Sequence, residues 1–272
     1  MDRSVAKLRK ALDTLYERYN RREFVHPDPL EFLYEYDEPA DREIVGLLAA
    51  SLAYGRVAQI LRNIRQLLEP MGPSPRRFLV RASPAELHET LATFKHRWTT
   101  GREVAELLAG MRRALEQHGS LQRAFVSGLG GQDETVQQAV ERFVEQLRAG
   151  SVLSRSSLLP VVQAGGACKR VHLFLRWMVR RDAVDPGGWQ EVPPAKLIVP
   201  LDTHMHRIGA ALGMCSRKPA DLLTALAITA AFREIQPEDP VRYDFTLTRF
   251  GIRAELDERE FLSRCKSLAC NT

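Results

Sequence analysis

The sequence predicts an all-α fold, and three observations carry the prediction. Apolar residues recur at three- and four-residue steps along most of the 272 positions. Glycine and proline punctuate the chain at helix-length intervals. No run of alternating apolar and polar residues is long enough to make a real sheet.

The first segment sets Val5, Leu8, Leu12, Leu15 and Tyr19 on one apolar stripe. Asp41 is a candidate cap for the helix beginning REIVGLLAASLAYG. The pattern VAQILRNIRQLLE continues beyond Gly55 to Pro70, so Gly55 marks a bend or a turn between two helices. Ser83-Pro84 opens AELHETLATF, and Thr100-Gly101 opens EVAELLAGMRRALEQHG, which Gly119 closes. Asp133 is expected to cap DETVQQAVERFVEQLRAG, which stops at Gly150. From Ser151 the pattern changes to an apolar stretch, a turn at Gly165-Gly166 and a strongly basic helix, KRVHLFLRWMVRRD. The connector DAVDPGGWQEVPPAKLIVP has no long periodicity. A helix with apolar positions Met205, Ile208 and Leu212 follows Asp202 and stops at Gly213. An apolar helix opened by Pro219, the segment PEDPVRYDFTLTRFGI and a short terminal helix complete the chain.

Composition narrows the class. Hydrophobic content of 44% and charged content of 27% are those of a soluble globular protein. The net charge of +5 favours a polyanionic partner, weakly. Cys168, Cys215, Cys265 and Cys270 lack CxxC spacing and read as free thiols in a reducing compartment. The N-terminus has no apolar core of a signal peptide, and LLTALAITAAF is too short to span a bilayer. A cytoplasmic location and no membrane partner are therefore expected.

Two stretches carry candidate chemistry. On the basic helix Lys169, His172, Arg176 and Arg180 share one face, flanked by Arg170, Trp177 and Arg181. Val171, Phe174, Leu175 and Met178 line another. Such a helix is expected to bury its apolar side and show a line of cations. With the Gly165-Gly166 turn at its start and Arg56, Arg62 and Arg65 on an earlier helix, phosphate binding is a natural outcome. The other stretch is VPLDTHMHRIGAALG. Asp202 can cap its helix, and an ionised carboxylate at that place can also stabilise a developing cation. His204 and His206 lie about 200° apart around a helix, which opposes their sharing one metal ion. A metal-dependent hydrolase using His204, His206 and Asp185 is the weakest of the alternatives, and no metal or cofactor is expected.

These residues resemble the helix-hairpin-helix superfamily of base-excision DNA glycosylases. Its catalytic loop reads roughly V/P-D-T-H-V-x-R, and Asp202, Thr203, His204 and Arg207 match it. GLLAASLAYGRVAQI is similar to the superfamily's buried helix. Within the superfamily the chain most resembles a bacterial family of unknown function, DUF2400, and its layout is similar to the archaeal 8-oxoguanine glycosylase branch. Three departures stand out. Only Leu159 and Pro160 fit the hairpin consensus, whose Gly-x-Gly is replaced by Ala164-Gly165-Gly166. Lys169 and Asp202 are 33 positions apart, which is long for the superfamily. The iron–sulfur cysteines of the endonuclease III branch are absent.

The resemblance implies two helical lobes around a cleft, residues 41–195 forming one and residues 1–40 with 196–272 the other; a monomer is expected. It implies excision of an oxidised purine such as 8-oxoguanine from double-stranded DNA, followed by strand cleavage. Lys169 would be the amine nucleophile and Asp202 the carboxylate that stabilises the sugar cation. Gly165, Gly166, Arg170, Arg176 and Arg56 would contact DNA. Trp177, Trp189, Tyr54 and His204 are base-pocket candidates, with Tyr54 or Arg56 filling the gap in the duplex. The competing expectation is a non-catalytic nucleic-acid-binding protein that keeps the fold.

Overall fold

The computed structural model describes residues 3–151, 158–159, 165–253 and 255–270. Helices dominate them, and the only strands among the described residues are two of two residues each. No helix among them is long and apolar enough to cross a membrane.

Helix α1 (Arg3–Tyr19) buries Leu12 and Tyr19, with Val5, Leu8 and Leu15 partly buried along the same stripe. It packs on α11 (Leu222–Ile235) and α12 (Asp244–Ile252), so the two ends of the chain meet. A 3-10 segment, Pro29–Glu35, then leads into α2 (Pro39–Ser51). Helix α2 is apolar almost all round, the pattern of a helix enclosed by others, and it packs against α9 (Lys169–Val179). Gly46 permits the approach: a Cβ there would meet Phe174 at 3.3 Å and Met178 Sδ at 3.4 Å.

Beyond the turn at Gly55, whose φ of +104° suits glycine, runs α3 (Val57–Leu68). Asp41 does not cap α2, which begins two residues earlier. Its carboxylate instead accepts from Ser74 Oγ (2.9 Å) and Arg76 N (2.8 Å), fixing the start of α4 (Pro75–Arg81). Ser83 and Glu86 form a capping box on α5 (Pro84–Thr90), as Thr100 and Glu103 do on α6 (Gly101–His118). Between these helices lies the hairpin β1 (Lys95–His96) and β2 (Thr99–Thr100), antiparallel, with His96 opposite Thr99.

Helix α7 (Leu121–Val126) starts on a buried acid from α2: Glu43 accepts from Leu121 N (2.9 Å) and Gln122 N (3.1 Å). Asp133 is not the cap of α8 (Gln137–Arg148), whose cap position is Val136; it accepts from Gly130 N within the preceding turn. Helix α8 crosses α6 where Gly110 meets the Leu147 carbonyl, leaving no room for a side chain. Helix α10 (Thr203–Ala211) packs on α12 and on α13 (Glu258–Cys270).

Candidate functional site

A cleft of about 770 Å³ opens where several pieces of chain converge. These include the segment Pro27–Pro29, the Tyr54–Gly55 turn after α2, the first turn of α9, the segment Pro200–His204, and the inner face of α12. The described part of the preceding turn is tied to α11: Leu222 N donates to Gly165 O (3.0 Å), and Gly166 forms a bridge with Asp221. Cys168 then takes the left-handed conformation (φ 46°) and turns the chain into α9, putting Lys169 at the first helical position.

Lys169 and Asp202 meet in this cleft, with Nζ 3.1 Å from Oδ2. The other carboxylate oxygen of Asp202 accepts from Met205 N at 2.8 Å, the cap of α10. Cap and ion pair thus use different oxygens of one group. Burial opposes the Asp202 charge, but the Lys169 ammonium and the Met205 N–H outweigh it and hold the carboxyl below its ordinary range. A carboxylate kept ionised and pressed against an amine can stabilise a cation forming between them and can exchange a proton with the amine.

The two histidines part company. His204 Nδ1 lies 2.8 Å from Glu258 Oε1 on α13, while His206 Nε2 lies 2.9 Å from the Arg217 carbonyl. Asp185 is fully buried between Arg176 and Arg180. Among the described residues no group of three or more histidine, cysteine or acidic side chains is placed to hold a metal ion. Cys168 is buried, which pushes its thiol up to about 11 and keeps it protonated near neutrality.

The remaining candidates divide. Tyr54 lines the cleft, its hydroxyl donating to the His96 carbonyl (3.0 Å), and the Arg170 guanidinium lies 5.2 Å from its ring. Arg170 itself is partly buried and donates to Ser51 O at 2.7 Å. Arg56 is exposed at the start of α3, and Gly165 and Gly166 are exposed; none of the three lines the cleft.

Trp177 and Trp189 lie away from the cleft, and Arg176 lines it but is buried among acids instead of facing solvent. The face of α9 read as a solvent-facing basic line points inward: His172, Arg176 and Arg180 are all buried. Arg176 pairs with Asp185 and Asp244, and Arg180 with Asp182, Asp185 and Asp239. Periodicity defines a face but not what covers it, and here acids from the connector and from around α12 do. Trp177 is 0% exposed in the core, and Trp189 donates to Glu43 Oε2 (3.1 Å) while packing on Phe125 and Phe174. Neither can stack on a base in the cleft. Pro160 and Ala164 of the hairpin consensus lie outside the described residues; Leu159 is buried.

The cleft floor holds residues that the sequence did not single out. Arg249 is buried, pairs with Asp28 (2.8 Å) and stacks on Phe245 at 4.3 Å. Its Nε and Nη1, and Oδ1 of Asp244, have no hydrogen-bond partner among the described residues. Burial pushes Asp244 up to about 6 despite the neighbouring Arg176 guanidinium, with Asp202 adding to the rise. The acid and arginine of YDFTLTRFG stand five residues apart, about 140° around a helix, so their spacing did not mark them as neighbours in a site.

Fold and site together define the class: a helical protein with a lysine–aspartate pair in an open cleft. The family model described as a protein of unknown function (DUF2400) matches residues 28–253, and the chain belongs to that family. No curated protein and no solved structure matches the chain.

Proposed function

We propose that the protein is a DNA glycosylase with β-lyase activity that removes an oxidised purine, such as 8-oxoguanine, from double-stranded DNA. One observation carries the reading: an amine and a carboxylate from distant parts of the sequence stand 3.1 Å apart in a cleft. It is supported by the similarity of the Asp202 loop to the helix-hairpin-helix glycosylases.

The damaged nucleotide leaves the stack and enters the cleft. As the N-glycosidic bond lengthens, positive charge grows on the sugar, and the Asp202 carboxylate stabilises it. Lys169 gives up a proton, with Asp202 the nearest acceptor, and its nitrogen bonds to C1′. The base departs with the bond's electron pair and takes up a proton. Ring opening gives an imine between Lys169 and C1′. Loss of the C2′ proton then expels the 3′ phosphate, and water releases the lysine.

Borohydride trapping on duplexes with single defined lesions tests the proposal. A covalent protein–DNA adduct on a damaged-purine duplex is expected, absent in Lys169→Ala, with base release lost in Asp202→Asn. Salt-sensitive DNA binding with no base released from any lesion would instead favour the non-catalytic reading.

A further inference from the structure

We infer that the hairpin tip Arg97-Trp98 is a nucleobase-stacking element that engages an unpaired base beside the cleft. The inference rests on the DNA-repair reading above and adds to it a contact that neither the sequence motifs nor the cleft supplies.

Trp98 is 61% exposed, the most exposed large hydrophobic side chain among the described residues, whereas Trp177 and Trp189 are buried. It does not hang loose. Its ring stacks on Tyr54 with centroids 5.0 Å apart and planes 24° from parallel, and Tyr54 lines the cleft. Tyr54 is in turn held edge-on against the buried His96 ring, and its hydroxyl bonds to the His96 carbonyl and to Thr99. Asn63 on α3 anchors the hairpin from below through the Lys95 carbonyl and His96 Nδ1. A braced hairpin therefore holds the exposed indole at the surface, between the Tyr54 ring and the Arg97 guanidinium.

The charge around that face is positive. Arg97 lies with its guanidinium 4.5 Å from the Trp98 ring, and Lys95 and Arg56 are exposed nearby in the chain and at the adjoining turn. Arg97 also sits in the left-handed region (φ 55°), where residues with a Cβ are uncommon. Its side chain packs over Gly55, where a Cβ would come within 2.8 Å of Arg97 Cδ. An exposed indole with a guanidinium beside its ring suits a flat π-face joined to a phosphate, which is a nucleotide in a DNA strand. Removing a base from the duplex leaves such a face on its partner and neighbours, and the Trp98–Tyr54 stack leads from the exterior to the cleft.

The test uses the full chain and two duplexes, one continuous and one with a single tetrahydrofuran abasic-site analogue. Of the three tryptophans, Trp98 alone is exposed, so emission open to an aqueous quencher reports it. The abasic duplex is expected to quench that emission and shield it. Trp98→Ala is expected to bind the abasic duplex about tenfold more weakly, the scale of one lost base–aromatic stack, with Trp98→Phe retaining most of the affinity. Unchanged emission on a bound abasic duplex, with equal affinity in Trp98→Ala, would overturn the assignment while leaving base excision standing. No binding of either duplex by the unaltered protein would overturn both.

Discussion

Lys169 reaches Asp202 across 33 positions of sequence, and the carboxylate it meets is already the cap of the next helix. One oxygen of Asp202 serves the backbone and the other serves the amine. The two roles can therefore be separated by substitution.

Asparagine caps a helix nearly as well as aspartate, so Asp202→Asn should keep α10 while removing the charge. Base release is expected to fall at least about 100-fold, the scale of losing one electrostatic stabiliser, with thermal stability little changed. Asp202→Ala loses the cap as well and should cost about 1 kcal/mol more by denaturant melts. Equal base release by Asp202→Asn and the unaltered protein would remove the carboxylate from the chemistry.

The arginines divide into buried and exposed sets with opposite expected behaviour. Arg176→Met leaves Asp185 and Asp244 without their shared guanidinium and should cost about 3–5 kcal/mol in urea unfolding. Arg56→Ala should leave stability unaltered and lower the salt slope of DNA binding by about one. A stable Arg176→Met protein with weakened DNA binding would restore that residue to the surface role first expected of it.

His172 is fully buried, both ring nitrogens have no hydrogen-bond partner among the described residues, and burial lowers its ionisation from 6.5 to about 4. Between those values the unfolded chain takes up a proton that the folded protein refuses. Its contribution is thus fully present above 6.5 and is lost as pH falls towards 4, by about 3 kcal/mol. His172→Leu should flatten the decline of stability over that range. An unchanged slope would mean that other groups govern the acid limb.

Gly251 on α12 lies against the His204 ring, where a Cβ would come within 1.9 Å of Nδ1. Gly251→Ala should displace His204 from Glu258 and cost about 1–3 kcal/mol. Because His204 begins two residues after Asp202, base release should fall as well, an effect readable at temperatures where the variant is fully folded.

Much of the fold is written in local signals, and the limits of those signals are physical. The stripe of α1, the capping boxes at Ser83 and Thr100 and the cap at Asp202 depend on neighbouring residues, so the sequence displays them. Asp41 and Glu43 look like acids near the start of α2, yet they satisfy α4 and α7, partners set by the tertiary fold. The error over α9 has the same origin, since its covering acids come from residues 182, 185, 239 and 244. Lys169 and Asp202 were legible through a motif. The hairpin at residues 95–100 was not, because two-residue strands are too short to show alternation. Asp28 and Arg249, at opposite ends of the sequence, gave no sign that they pair.

The tether between Gly165 and the start of α11 bears on how the cleft could work. It joins the approach to Lys169 to the element that follows the Asp202 helix, while α9 is rooted in the core by its inward arginines. Lys169 and Asp202 are thus mounted on one frame, like two teeth of the same jaw. Their 3.1 Å contact is backed by elements outside the cleft, and an occupant of the cleft would meet both groups together.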